Sequence, residues 1–254
     1  MNAHSWPLTR DARGLSTLTV RLWSPHIEAA VEHVDKTPVA GPILDLGCGQ
    51  ANHMKSIPAR SRPVIGIDID FDRLRQASSD DPKGVLVLAD AERLPFCDAA
   101  FSGLLSVSVL QYVDHERTLK EVGRVLHSGA RTGFVENLYG SPVARVYRIL
   151  HRALGIRYGS HMTPQHHLRW EQCEALFNRY IRISSLHTYD LTTPFTYLSL
   201  IARTLLRRRP SANRRQLEVL QKVDNLLLAR AHFLARYCWI VCVLGEAVVQ
   251  EQRP

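Results

Sequence analysis

Two short apolar segments end in residue types that could hold a ligand. Segment 42–51, Pro-Ile-Leu-Asp-Leu-Gly-Cys-Gly-Gln-Ala, enters a turn that contains Gly47 and Gly49. Segment 64–68, Val-Ile-Gly-Ile-Asp, ends on Asp68, nineteen residues after Gly49. Glycine has no Cβ, so the main chain of such a turn can approach a ligand closely. The spacing predicts a backbone-lined cleft beside one carboxylate, which is how a doubly wound α/β sheet holds an adenosine-containing cofactor.

The residues around the glycine turn narrow the cofactor class. The triphosphate motif GxxxxGK[ST] is absent, and Asn52 stands where the dinucleotide motif G-x-G-x-x-G has its third glycine. Asp45 precedes Gly47 by two residues, which is awkward beside a pyrophosphate and favourable beside a cation. S-adenosylmethionine carries an ammonium, a sulfonium and a ribose diol, and no phosphate. Asp45 can orient the ammonium end, and Asp68 can accept hydrogen bonds from both ribose hydroxyls.

Four ordered motifs resemble one known family. Asp-Leu-Gly-Cys-Gly at 45–49 resembles motif I of the class I S-adenosylmethionine-dependent methyltransferases, and Gly-Ile-Asp at 66–68 resembles their ribose-binding strand end. Segment 88–96 is similar to the loop that brackets adenine, and segment 101–107 to the strand that ends over the sulfonium. The closest subgroup contains the ubiquinone/menaquinone-biosynthesis and many small-molecule methyltransferases. The resemblance covers residues 40–136, with a looser match over 165–188 and the last strand.

The resemblance completes the expected cofactor site. It implies that Asp90 meets the adenine amino group and that the N–H of Ala91 meets a ring nitrogen. We expect no metal. Ala51 in place of the usual third glycine and Ser102 in place of the usual aspartate are departures that leave cofactor binding intact. The expected cofactor-binding residues are Asp45, Gly47, Cys48, Gly49, Asp68, Ile69, Asp90, Ala91 and Ser106. Of these, Cys48 is expected to pack beneath the cofactor rather than act as a nucleophile, since no base is evident beside it.

Alternating apolar runs and helical patterns position these residues. Strands are expected at 42–46, 63–68, 84–89, 101–107, 131–136, 180–187 and 236–245. Helices are expected after Ser24-Pro25 and at 50–57, 70–78, 114–126, 142–154, 169–178 and in a helical insertion at 193–235. This alternation predicts βαβ units and a parallel sheet. The resemblance implies a doubly wound, seven-stranded, mostly parallel α/β sheet with an antiparallel last strand.

The breaks in this alternation define the expected domain organisation. We expect a single methyltransferase domain over 1–254, with its core at 24–137, 165–188 and 236–246. Insertions at 138–163 and 190–235 are expected to form a cap that shapes the acceptor site.

Residues beyond the strand ends are the candidates for chemistry on the acceptor. His161, His166 and His167 cluster before a helix, and imidazole titrates near neutrality, so one of them could act as a general base. His115, Tyr139 and Glu136 follow strand ends and could also face the acceptor. For each of them, a solvated position is the alternative. Because the sulfonium is already activated, a base is needed only if the acceptor must lose a proton.

The charge, the cysteines and the apolar runs indicate which partners and which cell compartment to expect. The 254-residue chain has a formal net charge of +8, which suits an anionic partner or a solvated basic surface. Residues 193–215 combine an apolar helical face with five arginines between 207 and 215, so they form either a cap helix or a contact with an anionic membrane surface. Five cysteines without a CxxC pair and the lack of a signal-like start favour the cytoplasm, with peripheral membrane contact as an extension.

Three functions remain open at the level of sequence. The first is methyl transfer from S-adenosylmethionine to oxygen, carbon or nitrogen of a small or lipid-like acceptor. The second is a nucleic-acid or protein methyltransferase that uses the basic patch; because the arginines lack interleaved aromatic residues, we expect no nucleic-acid partner. The third is a non-catalytic, cofactor-binding partner protein. The acceptor and the oligomeric state are not defined by the sequence.

Overall fold

The structure is a computed structural model that describes residues 9–10, 16–17, 25–57, 62–79, 84–142, 145–146, 149, 165–166, 168–192 and 214–248. Several residues named above lie outside these ranges: Ser24, His161, His167, most of the expected helix 142–154 and the arginine-rich segment 193–213. Near the start of the chain, Thr9–Arg10 and Ser16–Thr17 form a two-stranded antiparallel pair.

Seven strands form the central sheet, as expected. They are β1 (Ile43–Leu46), β2 (Val64–Asp68), β3 (Val85–Leu88), β4 (Phe101–Val107), β5 (Leu126–Asn137), β6 (Ile181–Tyr189) and β7 (Ile240–Ala247). Their order across the sheet is β3-β2-β1-β4-β5-β7-β6. The pairs β1–β2, β1–β4, β2–β3 and β4–β5 are parallel. The strand order reverses direction at β1, which creates a crevice beyond the carboxyl ends of β1 and β4.

The last strand runs antiparallel to its edge neighbour, which confirms the expected reversal. Hydrogen bonds join residue 180 to 248, 182 to 246 and 184 to 244. Because the numbers rise on β6 as they fall on β7, the two strands run in opposite directions.

Helices cover both faces of the sheet. They are α1 (Pro25–Asp35), α2 (Phe71–Ser79), α3 (His115–Val125), α4 (Trp170–Asn178) and α5 (Arg214–Arg230). A Cβ at Gly133 on β5 would lie 3.0 Å from Ala30 of α1, whereas the ring of the next residue, Phe134, lies 5.0 Å from Phe177 of α4. Successive strand residues point to opposite faces, so α1 and α4 cover opposite sides of β5.

The chain divides into two compact units. One comprises 26–137, 164–187 and 241–254 and contains most of the sheet with α1 to α4. The other comprises 1–25, 138–163 and 188–240 and contains α5, followed by the 3-10 helix His232–Tyr237. Within the latter unit, the buried carboxylate of Asp224 on α5 accepts hydrogen bonds from the backbone N–H groups of Leu191 and Thr192 and from the Thr192 hydroxyl.

Two sequence expectations about elements are wrong. The expected helix 50–57 is replaced by turns and a 3-10 helix, Met54–Ser56. The reason is local: Gly49 and Ala51 both take a positive φ, which cannot continue a right-handed helix. The last strand begins at Ile240 rather than at 236, because His232–Tyr237 form a 3-10 helix instead. The strand expected at 131–136 is longer than predicted and spans Leu126–Asn137.

Candidate cofactor and active site

The residues expected to bind the cofactor lie at one edge of the sheet. Strand register places Asp45 beside Gly66, and it places Leu46 beside Ser106. Asp68 lies beside Leu88 in the next pair of strands. Because these strands are parallel, their carboxyl ends meet at the same edge.

The turn after β1 needs glycine at two positions. Gly47 has a φ of 65° and Gly49 has a φ of 55°, in the left-handed region where other residues are strained. A Cβ at Gly47 would lie 2.4 Å from Cγ2 of Val109, inside van der Waals contact. A Cβ at Gly49 would instead meet the mobile end of Arg73, 2.7 Å from its Nη2. The turn is therefore packed tightly against Val109 on one side and covered by a flexible arginine on the other.

Asp68 ties this turn to the end of β2. Its Oδ2 accepts a 2.8 Å hydrogen bond from the N–H of Gly49, and its Oδ1 accepts a 2.9 Å bond from the N–H of Asp70. Asp70, in turn, caps α2 by accepting from the N–H of Arg73. Each oxygen of Asp68 retains a second lone pair. The carboxylate is therefore fixed by the backbone and still able to accept from a vicinal diol.

Asp45 is a buried carboxyl group with an unused oxygen. Its side chain is 1% exposed, and among the described residues its Oδ2 has no hydrogen-bond partner. Burial, with a smaller contribution from the neighbouring charge of Asp68, raises the pKa of Asp45 to about 8. A buried oxygen without a partner is costly unless a ligand completes it. A cationic ligand would supply both the missing interaction and the charge that stabilises the carboxylate.

The side chain of Cys48 packs from the turn toward the neighbouring strand β2. It is buried, and a Cβ at Gly66 on the next strand would lie 2.8 Å from its sulfur. Burial raises the pKa of this thiol, so it stays protonated and is a poor nucleophile.

The loop expected to bracket adenine is held by an ion-pair cluster that was not predicted from the sequence. The guanidinium of Arg124 donates to the carbonyl oxygens of Leu94 (3.0 Å) and Phe96 (2.7 Å) and pairs with Asp98 and Glu121, each at 2.8 Å. Glu121 also accepts from the N–H of Leu94. The available signal was the i,i+3 spacing of Glu121 and Arg124 on the face of α3 that carries no apolar stripe.

This loop presents the two residues expected to meet adenine. Asp90 is exposed and its Oδ1 accepts from the N–H of Glu92, while Ala91 is buried. Ile69, next to Asp68, is 54% exposed, and Leu88, which pairs with Asp68 across the sheet, is 55% exposed. Large apolar side chains exposed at two adjacent strand ends suit a planar base.

Ser106 and Glu136 form a buried pair. The Ser106 hydroxyl donates to Oε1 of Glu136 at 3.0 Å, and both side chains are at most 1% exposed. Glu136 is turned into the protein and does not present the acceptor-facing surface expected from its place near the end of β5.

Two of the candidate histidines come together. The rings of His115 and His166 are 5.9 Å apart, and the N–H of His166 donates to the carbonyl of Gln111. Nε2 of His115 lies 2.9 Å from the carbonyl oxygen of Leu110. A carbonyl only accepts, so Nε2 carries the proton and Nδ1 holds the free lone pair. Burial is the main cause that lowers the pKa of His115, so its imidazole is neutral at pH 7.

Tyr139 belongs to the second unit, where the guanidinium of Arg145 lies 5.5 Å from its ring centre. Over the described ranges, no group of three or more His, Cys, Asp or Glu side chains could hold a metal ion. In the same part of the chain, no helix has the length and apolarity needed to cross a bilayer.

The sheet order and the aspartate-lined glycine turn define a Rossmann-like nucleotide-cofactor fold. Residues 44–134 match the family described as a methyltransferase domain. The chain is 32% identical over 95 residues to an uncharacterized methyltransferase of Mycobacterium bovis, covering 37% of this chain and 39% of that protein. It is 30% identical over 112 residues to the demethylmenaquinone methyltransferase of Mycobacterium sp. strain KMS, covering 43% of this chain and 46% of that one.

Solved structures extend the likeness in fold to most of the chain. Geranyl diphosphate C-methyltransferase from Streptomyces coelicolor A3(2), solved with Mg²⁺, geranyl diphosphate and S-adenosyl-L-homocysteine, superposes with a TM-score of 0.61 at 16% identity. The match covers 90% of this chain and 81% of that one. The match of residues 44–134 to a methyltransferase domain confirms the resemblance that the motifs predicted, and the solved structures show the same fold over most of the chain. It spans about two fifths of the length of the first curated relatives that it matches.

Proposed function

We propose that this protein transfers a methyl group from S-adenosylmethionine to a small or lipid-like organic acceptor. The observation that carries the proposal is the hydrogen bond between Asp68 and Gly49. It fixes the carboxylate that we expect to bind the ribose diol beside the glycine turn. The match of residues 44–134 to the methyltransferase domain supports this assignment.

The residues at the sheet edge fit this cofactor. Asp68 accepts from the ribose hydroxyls with the lone pairs that the backbone leaves free. Asp45 stabilises the cationic methionine end, since its buried Oδ2 lacks a partner among the described residues. Ile69 and Leu88 give the adenine ring apolar surfaces, and Asp90 with the N–H of Ala91 read its polar edge.

Bound S-adenosylmethionine supplies an activated methyl group. The protein's own contribution is alignment and exclusion of water. Where the acceptor carries a proton, His115 is the candidate base, because Nδ1 is unprotonated and the imidazole is neutral. Its carbonyl partner, Leu110, follows Val109, the residue that packs against the glycine turn. This chain of contacts supports the choice of His115 as the candidate base. Tyr139, His166, His161 and His167 remain further candidates for acceptor contacts.

The acceptor class rests on the subgroup that the motifs resemble and on the relatives. The curated relative named above methylates demethylmenaquinone, a lipid-like quinone, by its name. The solved relative binds geranyl diphosphate. An acceptor of this kind suits a protein in the cytoplasm whose segment 193–215 touches an anionic membrane. The net charge of +8 is the observation that favours the second candidate, a nucleic-acid acceptor.

The experiment is a transfer assay with S-adenosylmethionine labelled on the methyl group and an extract of the source organism. The products are separated into small molecules, lipids, nucleic acid and protein. Label in small molecules or lipids supports the proposal. Label in RNA, DNA or protein overturns the acceptor class, and cofactor binding without any labelled product would support a non-catalytic partner protein instead.

A further inference from the structure

Glu136 is a carboxylate buried at the end of β5 with three hydrogen-bond donors directed at it. Oε1 accepts from the Ser106 hydroxyl at 3.0 Å and from the N–H of Val109 at 3.2 Å. Oε2 accepts from the N–H of Leu110 at 3.0 Å. The side chain is 1% exposed, so these contacts are shielded from water. Hydrogen bonds to a buried carboxylate are short-range and strong, and they fix the groups that donate them.

All three donors belong to the chain that leaves β4. Ser106 is near the last residue of that strand, and Val109 and Leu110 begin the 3-10 helix Leu110–Tyr112. Between them, Ser108 has a φ of 61°, a strained conformation for a residue with a side chain. Its hydroxyl accepts from the side-chain amide of Asn137 at 3.0 Å. The end of β5 therefore binds this strained loop through Glu136 and Asn137.

That loop forms one wall of the glycine turn. A Cβ at Gly47 would lie 2.4 Å from Cγ2 and 3.2 Å from Cγ1 of Val109. A shift of Val109 by a few tenths of an ångström would therefore change the space at Gly47. Because Glu136 fixes the N–H of Val109, its carboxylate acts on the cofactor site through that valine.

We infer that Glu136 is a positioning residue that shapes the cofactor site by holding Ser106 and Val109 against the Gly47 turn. The inference rests on the proposed function, in that the site it shapes is the one that binds S-adenosylmethionine. Glu136 acts through these donors rather than by contact with the acceptor, since both of its oxygens are buried and accept hydrogen bonds from the protein.

The protonation of Glu136 offers a readout that a purely structural role would not give. Burial raises the pKa of Glu136 to about 7, against the lowering effect of its three hydrogen bonds. The titratable group that faces it from the packed helix α4 is the thiol of Cys173, and burial raises the pKa of that thiol to about 12, so it does not titrate in this range. A protonated carboxyl is a weaker acceptor than a carboxylate. Within the closed loop the carboxylate makes the stronger contacts, but the raised pKa means that its ionisation, as the pH rises from about 4.5 to about 7, lowers the stability of the loop against opening.

The test is the affinity for S-adenosylhomocysteine of the wild type and of Glu136→Gln, measured by calorimetry between pH 5.5 and 8.5. Glutamine keeps the shape of the side chain, but only its oxygen can accept hydrogen bonds. We expect the variant to bind about tenfold more weakly at pH 8.5. The ratio of the two dissociation constants should fall towards one at pH 5.5, where the wild-type residue is also uncharged. Thr132→Val is the matched control, because Thr132 is buried on the same strand and its hydroxyl has no partner within the described residues.

A ratio that stays constant across this pH range, or equal affinities at pH 8.5, would overturn the inference. If the wild type itself fails to bind, the proposed function fails rather than this inference. Should Glu136→Gln not fold, amide hydrogen exchange in the wild type decides the question. After correction for the intrinsic pH dependence of exchange, residues 106–112 should lose protection between pH 6 and pH 8 relative to residues 43–46 of β1, because ionisation of Glu136 favours the open loop. Equal protection at both pH values would count against the inference.

Discussion

Oδ2 of Asp68 accepts a 2.8 Å hydrogen bond from the N–H of Gly49 and so joins the carboxyl end of β2 to the turn after β1. One side chain thereby supports the turn that a cofactor would lie against and supplies the acceptor for its ribose. The structural role and the proposed binding role cannot be separated by deletion of the side chain alone. Conservative variants are therefore needed at this site.

Asp68→Asn is expected to weaken S-adenosylhomocysteine binding by about 10- to 100-fold, the loss of one or two charge-assisted hydrogen bonds. Asparagine keeps one oxygen for a backbone donor, so the fold should persist. Calorimetry measures the effect. The control is Asp72→Asn, whose carboxylate is 68% exposed and pairs with Arg75 at the surface. Equal losses in both variants would argue against a specific role for Asp68.

Gly47→Ala should destabilise the protein by about 2–4 kcal/mol, since it combines a left-handed φ with overlap on Val109. Gly49→Ala should cost about 1–2 kcal/mol, because the guanidinium of Arg73 can move away. Urea denaturation gives both values. Adding Val109→Ala should recover part of the loss at Gly47 and none at Gly49. The account of the packed turn would be wrong if the two glycine variants were equally unstable.

Asp45→Asn should change how stability depends on pH. The pKa of Asp45 in the folded protein is about 8, above its ordinary value of 3.8, so folding favours the protonated form. The stability that this group contributes is present at low pH and is lost as the pH rises from about 4 to about 8. The asparagine variant does not lose stability in this way, because its side chain does not titrate. Its melting temperature relative to the wild type should therefore increase between pH 5 and pH 8, as measured by scanning fluorimetry without cofactor. A difference that is flat with pH would refute the buried, protonated state.

Arg124→Ala should loosen the loop that carries Asp90. The substitution leaves the carbonyls of Leu94 and Phe96 without their donor, at a cost of about 2 kcal/mol in folding free energy. Cofactor affinity should fall about tenfold, because the loop must then be ordered on binding. Hydrogen exchange of residues 90–98 and calorimetry check the two effects. Arg182→Ala, which removes an arginine on β6 that is 75% exposed and pairs with Glu246 outside this loop, serves as the comparison and should leave both quantities unchanged.

His115→Gln separates a base from a structural hydrogen bond. The glutamine amide can still donate to the carbonyl of Leu110, but it has no basic nitrogen. For an acceptor that must lose a proton, kcat should fall by about 100-fold or more while cofactor affinity stays constant. His187→Gln, at an exposed position on β6, is the control. An unchanged kcat in His115→Gln would remove His115 from the mechanism.

Local patterns in the sequence were sufficient to predict which residues lie at the carboxyl edge of the sheet. Asp45 and Asp68 sit at strand ends because short apolar runs bounded by Gly and Asp mark both elements, and register in a parallel sheet then brings them together. The prediction of a helix at 50–57 was wrong because the residue types alone do not indicate the positive φ of Ala51.

Side-chain contacts between residues far apart in the chain could not be predicted from the sequence. The inward turn of Glu136 depends on donors 26 to 30 residues away in the chain, and the clamp by Arg124 depends on acceptors 26 to 30 residues away. Both residues could be assigned to an element from the sequence, but the partners of their side chains are decided by the folded loop alone.

A crystal structure of the protein with saturating S-adenosylhomocysteine tests the central claim most directly. The account predicts the adenosyl group at the carboxyl edge of β1, β2 and β4. The ribose hydroxyls should lie within hydrogen-bond distance of Asp68, and the amino-acid end should lie on the Gly47 turn above Asp45. Ligand bound at another place, or an empty edge at saturating ligand, would contradict it.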